Sequence, residues 1–154
     1  MRKGSANGTA GSHGKAPVVL IAEDERPIAE ALAMIVTDAG YLPVLASHGK
    51  RALELARERP PAMVITDLMM PHMDGLALMR ALRQEAELAG HRPPVIVLTT
   101  AAPFPRAEWS LADAYLRKPF NIDEVEALLH RYLSLAAHSP YGSDRKPQAH
   151  APEM

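Results

Sequence analysis

Val18-Val19-Leu20-Ile21-Ala22-Glu23-Asp24 and Ala62-Met63-Val64-Ile65-Thr66-Asp67 are the stretches whose reading decides the fold. Each is a short apolar run that ends abruptly in carboxylates. A continuous run of this length, with no polar alternation, predicts a strand covered on both faces, as in a parallel sheet. Val95-Ile96-Val97-Leu98 ends the same way in Thr99, and Tyr115-Leu116-Arg117 leads into Lys118-Pro119. In an open α/β sheet, ligands bind outside the carboxyl ends of the strands, where these groups would converge. Two carboxylates about 5 Å apart at an effective dielectric of ~20 repel by roughly 3 kcal/mol, so a group of three calls for a cation. A hard divalent ion with oxygen ligands, Mg²⁺ above all, suits that demand. A lysine and a hydroxyl beside the ion suggest a phosphoryl group.

Helical segments separate these strands. Pro27 can occupy a first helical turn, and Ile28, Leu32, Ile35 and Val36 recur at helical spacing before Gly40. Leu42–Ala46 reads as a second strand. Gly49–Glu58 reads as a helix with Ala52, Leu53 and Leu55 inward, stopped by Pro60-Pro61. Asp74-Gly75 opens a helix striped by Leu76, Leu78, Met79 and Leu82 that ends near Gly90. Ala114–Leu116 is a short fifth strand. Asn121 and Glu124 form a capping-box pair ahead of a last helix, with Phe120 and Val125 at staple positions. In that helix Ile122, Val125, Leu128, Leu129, Tyr132 and Leu133 are predicted to face the core. Repeated β-α units imply right-handed crossovers and a parallel sheet with helices on both faces.

Val19-Leu20-Ile21-Ala22-Glu23-Asp24-Glu25, Thr66-Asp67-Leu68-Met69-Met70-Pro71-His72-Met73-Asp74-Gly75, Val95-Ile96-Val97-Leu98-Thr99 and Tyr115-Leu116-Arg117-Lys118-Pro119-Phe120 resemble the signatures of response-regulator receiver domains. Their order and spacing match over about Pro17 to Ala136. The resemblance implies a flavodoxin-like doubly wound α/β fold, its five-stranded sheet ordered 2-1-3-4-5, with strands one and three flanking the switch point. It implies Asp67 as phosphoacceptor. Mg²⁺ would be held by Asp24, Asp67 and the backbone carbonyl of Met69, with Glu23 acting through water. Lys118 and Thr99 would contact phosphoryl oxygens, Tyr115 would be the aromatic switch residue, and Pro119 would follow a cis peptide. The implied partners are a histidine kinase or histidine phosphotransfer protein and a downstream protein of unknown identity.

The chain departs from the family pattern between Thr99 and Lys118, where the spacing is short. The missing length falls in the fourth helix, Ala101–Leu111, which carries Pro103 and Pro105. Regular helix there can start no earlier than about Pro105. Phe104 and Trp109 are large for a solvent-facing stretch, and Thr100 replaces the small residue usual after the switch threonine. A non-switching receiver-like interaction module is therefore the alternative function. An enzyme on the same fold, such as a phosphatase or flavodoxin-like redox protein, lacks support from any further acid/base pair or flavin-type phosphate loop.

Composition bounds the rest. The 154 residues suit one domain, 47% hydrophobic and 23% charged, ordinary globular values. A net charge of −1 without a basic block gives no footprint for nucleic acid. The absence of cysteine excludes disulfides and thiol chemistry and fits a cytoplasmic setting. Gly4-Ser5-Ala6-Asn7-Gly8-Thr9 follows the basic start where a secretory signal would be apolar, and no run nears the ~20 apolar residues of a membrane span. Residues 1–16 and 137–154 read as flexible tails around a receiver domain over 17–136, and are too short for an output domain, which suggests a stand-alone receiver. Of the seven histidines, His48, His72, His91 and His130 lack the spacing of a compact zinc site. The eight methionines read as loop and stripe filler.

Overall fold

The computed structural model describes residues 16–101 and 111–134. The two predicted tails and nearly all of the segment expected to form a shortened fourth helix, with Pro103, Phe104, Pro105 and Trp109, lie outside the described residues. Within them the chain runs β1 (Val18–Ala22), α1 (Arg26–Asp38), β2 (Leu42–Ala46), α2 (Gly49–Glu58), β3 (Met63–Asp67), α3 (Gly75–Ala89), β4 (Val95–Thr100), β5 (Ala114–Arg117) and α4 (Ile122–Leu129). A π-helical turn, His130–Ser134, extends α4. The strands pair in parallel in the order β2-β1-β3-β4-β5, the flavodoxin-like arrangement.

Period-two alternation along each strand divides the core between two helical layers. Val19, Ile21, Met63, Ile65, Val97 and Leu116 pack with Leu32, Ile35 and Val36 of α1 and with Val125 and Leu129 of α4. Their neighbours Leu20, Ala22 and Val64 pack with Ala52, Leu53 and Ala56 of α2 and with Leu78 and Leu82 of α3. Ile96 and Leu98 join Met79 on that second face. Burying one such Leu or Ile fully stabilises the fold by about 1.5–3 kcal/mol, so both faces of every central strand contribute.

Local chemistry sets the helix ends. Pro27 lies in the first turn of α1. Asp74 caps α3 by accepting from the Ala77 N–H at 2.9 Å, and Gly90 closes it with a left-handed φ of 78°. Asn121 and Glu124 form the reciprocal capping box of α4, at 2.9 and 3.0 Å. In α2, Leu55 packs against the core while partly buried, and Ala56 is buried beside it. Two expectations need correction. Ile122 does not face the core but is 57% exposed, because it sits at the first position of α4, a turn ahead of the buried Val125. The strands also run further than apolar runs suggest: β3 includes Asp67, β4 includes Thr99 and Thr100, and β5 includes Arg117. Ladder pairing there involves backbone groups, which are indifferent to side-chain polarity.

Candidate functional site

The carboxyl ends of β1, β3 and β4 deliver the predicted residues to one crevice. Past β1, the Glu23 N–H still donates to the Ala46 carbonyl at 3.0 Å. Continuing the ladder by one residue leaves Glu23 only 3% exposed, whereas Asp24 beside it is solvent-exposed. Glu23 Oε2 accepts from the Glu25 N–H at 3.1 Å, shaping the turn into α1. Asp67 pairs in register with Thr99, and the Leu68 N–H donates to the Thr99 carbonyl at 2.8 Å. Asp67 is therefore held on a rigid strand end, 6% exposed.

Gly75 sets how closely α3 approaches that strand end. A Cβ at this position would collide with the Asp67 carbonyl oxygen and lie 2.9 Å from Leu68 Cα. The Gly75 N–H donates to the Leu68 carbonyl at 2.9 Å. No other residue type could occupy this position without moving β3 or α3. The Asp74-Gly75 pair announces a helix start in the sequence, but this second role is visible only in three dimensions.

Lys118 enters from β5. Its N–H donates to the Thr100 carbonyl at 2.9 Å, and the Lys118-Pro119 peptide is cis. Lys118 Nζ stands 3.2 Å from Glu23 Oε1 and 3.3 Å from Asp67 Oδ2, while Asp67 Oδ1 accepts from the Met69 N–H at 3.2 Å. Burial is the largest influence on Lys118 and pulls its ammonium down. The Asp67 charge and the Glu23 contacts together exceed that pull and hold it above the usual lysine value. Burial, joined by the Asp67 charge, raises the Glu23 carboxyl above the ordinary glutamate range despite the Glu25 N–H and Lys118.

Carboxylate oxygens of Glu23, Asp24 and Asp67 lie within 4.8 Å of one another, an arrangement compatible with a metal ion. Three carboxylates against the single Lys118 ammonium leave a formal charge of −2. Glu23 Oε1 is buried and, though close to Lys118, has no aligned hydrogen-bond donor among the described residues. Its contact with Lys118 is therefore an ion pair of charge more than of direction. Thr99 Oγ1, on a residue 1% exposed, likewise has no hydrogen-bond partner among the described residues. Buried polar atoms of this kind are rare and mark places where an ion, a water or a ligand belongs. Oxygen donors with excess negative charge fit Mg²⁺.

The remaining sequence-predicted residues lie at the margin. The Met69 side chain is 68% exposed beside Asp67. Tyr115 is exposed on the edge strand β5, in register with Leu98. Thr100 is buried at the end of β4. His48 and His72, set aside on spacing, meet across two loops.

Residues 19–130 match the response regulator receiver domain. The response regulator MprA of Mycobacterium leprae is 39% identical over 121 residues, covering 73% of this chain and 51% of that protein. The chemotaxis protein CheY4 of Vibrio cholerae superposes with a TM-score of 0.68 at 27% identity, covering 77% of this chain and all of that one. The response regulator TrrA of Thermotoga maritima, in complex with Mg²⁺-BeF, gives 0.66 at 29% identity, covering 76% and 99%. The chain spans about half the length of the curated relatives it matches. Among the described residues no helix is long and apolar enough to cross a membrane. With its sheet order, its crevice and these likenesses in agreement, the chain belongs to the response-regulator receiver family of two-component signalling.

Proposed function

We propose that this receiver accepts a phosphoryl group on Asp67 from a histidine kinase or histidine phosphotransfer protein and passes the signal on by noncovalent binding to a downstream partner. One observation carries the proposal: the Lys118 ammonium stands against both Asp67, at 3.3 Å, and Glu23, at 3.2 Å, within the group of three carboxylates, and Asp67 is the register partner of Thr99, whose hydroxyl has no hydrogen-bond partner among the described residues. An Asp67 oxygen attacks phosphorus, a P–O bond forms, and the bond from phosphorus to the donor's imidazole nitrogen breaks. The role of the chain is positioning and charge compensation, which dominate phosphoryl transfer. Lys118 releases part of its pairing with Asp67 and takes up phosphoryl oxygens, and Thr99 Oγ1 donates to another. Asp24, Asp67 and the Met69 carbonyl are the residues that would hold Mg²⁺, with Glu23 acting through water. Bound there, the ion supplies neutralising charge against the incoming anion.

The modification replaces the −1 carboxylate of Asp67 by an acyl phosphate of up to about −2, with three strong acceptor oxygens, in an already acidic crevice. Drawing Thr99 and Lys118 toward it shifts the ends of β4 and β5, and with them Tyr115, biasing a two-state surface that a partner reads. The deciding test is incubation with Mg²⁺ and acetyl phosphate, followed by intact-mass measurement of wild type and Asp67→Asn. A single phosphoryl adduct is expected on wild type, absent without Mg²⁺ and absent from the variant. Equal labelling of a folded Asp67→Asn protein would refute the assignment.

A further inference from the structure

His48 and His72 belong to different loops, yet their rings meet edge to face with centroids 5.9 Å apart. His48 is the N-cap of α2, and His72 lies in the connection from β3 to α3. These loops are pressed together: a Cβ on Gly49 would collide with the Met73 carbonyl oxygen and lie 2.9 Å from Met73 Cβ. His72 has a φ of 69°, in the left-handed region that non-glycine residues enter rarely. Outliers of this kind persist only where their surroundings hold them, and they cluster at functional positions. His48 is half-buried and His72 exposed, so solvent reaches both rings.

We propose that His48 and His72 form a two-imidazole site for a borderline divalent ion of the Zn²⁺ class, separate from the oxygen-rich crevice at Asp67. Imidazole nitrogen suits Zn²⁺, whereas Mg²⁺ prefers oxygen. Zn–N bonds of about 2.0–2.1 Å put two ring centroids roughly 5–6 Å apart around one ion, which is the separation already present. Water completes the coordination, and the ion ties the β2–α2 loop to the loop that follows Asp67.

The site is coupled to the first turn of α2. His48 Nδ1 accepts from the Arg51 N–H at 3.2 Å, which places the proton of the neutral ring on Nε2. Ligation at Nδ1 displaces the Arg51 N–H, and ligation at Nε2 moves the ring proton onto Nδ1. Either way the cap is released, and because the contact is exposed, water takes over the amide. Ion binding therefore has a local signature at Arg51.

The test titrates Zn²⁺ into the full chain in excess Mg²⁺, which keeps the carboxylates of the crevice occupied. Calorimetry and amide chemical shifts follow wild type, His48→Asn and His72→Asn. Asparagine is a strong N-cap and tolerates left-handed backbone, so each substitution removes the imidazole while preserving its loop. Each variant is expected to weaken Zn²⁺ binding by on the order of tenfold or more and to abolish the Zn²⁺-dependent shift of the Arg51 amide. Unchanged affinity in either variant overturns the site. So do Zn²⁺-dependent shifts confined to Glu23, Asp24 and Asp67 or to the other histidines.

Discussion

Lys118→Met replaces the one cation within 4 Å of both buried carboxylates, among the described residues, by an apolar chain of similar length. At an effective dielectric of ~20, each contact of Lys118 with Glu23 and Asp67 amounts to about 5 kcal/mol of attraction. Desolvation of the three groups offsets most of this, so the net effect is better taken from broken buried pairs, roughly 3–5 kcal/mol. The Lys118 side chain is 15% exposed, which leaves little solvent screening, but Asp67 retains the Met69 N–H and Glu23 the Glu25 N–H. The lower end, about 3 kcal/mol, is expected without metal at pH 8. With a urea m-value of about 1.5 kcal/mol/M, the unfolding midpoint in EDTA falls by about 2 M. The loss must shrink at pH 5. Glu23 already has a raised carboxyl pKa in the folded state and takes up a proton more readily as pH falls, which relieves the uncompensated charge. Mg²⁺ should restore much of the stability, since it replaces the missing positive charge. A variant as stable as wild type in EDTA at pH 8, or one that loses more at pH 5 than at pH 8, would refute this account of the crevice.

Three further outcomes are expected. Asp24→Asn should weaken Mg²⁺ binding by on the order of tenfold while raising metal-free stability by a few tenths to about 1 kcal/mol, because it relieves carboxylate repulsion at an exposed position; paired Mg²⁺ titrations and urea melts in EDTA check both signs. Glu23 binds its proton more tightly folded than unfolded, so its contribution to metal-free stability is full below its unfolded value and is lost as pH rises through the folded one. Glu23→Gln should therefore flatten the decline of metal-free stability as pH rises above the ordinary glutamate range, and an unchanged slope counts against a raised carboxyl. Gly75→Ala should destabilise by about 2 kcal/mol or more and slow labelling by acetyl phosphate, since the added methyl displaces the Asp67 backbone; labelling at the wild-type rate would separate the glycine from the site.

Much of the fold was legible because it depends on neighbours in sequence. An unbroken run such as Val18–Ala22 must be covered on both faces wherever it lies, and Asp74 and Asn121 cap their helices with groups three residues away. Since parallel strands present their carboxyl ends to one side, carboxylates, a threonine and a lysine at four strand ends already defined a crevice. Periodicity misled at Ile122, because a first-turn residue has the helical spacing of its stripe without a neighbouring element to cover it.

The sequence by itself determined which chemical groups the protein would gather and on which side of the sheet. Only the tertiary structure decided their distances: the burial of Glu23, its sharing of Lys118 with Asp67, and a buried Thr99 hydroxyl without a hydrogen-bond partner among the described residues. It likewise decided that Gly75 would be pressed on the Asp67 backbone and that His48 would reach His72. The physical reason is the same in each case. Ladder registry, helix packing and loop geometry set separations of a few ångströms between residues far apart along the chain, and Coulomb energy, steric contact and ligation all turn on those separations.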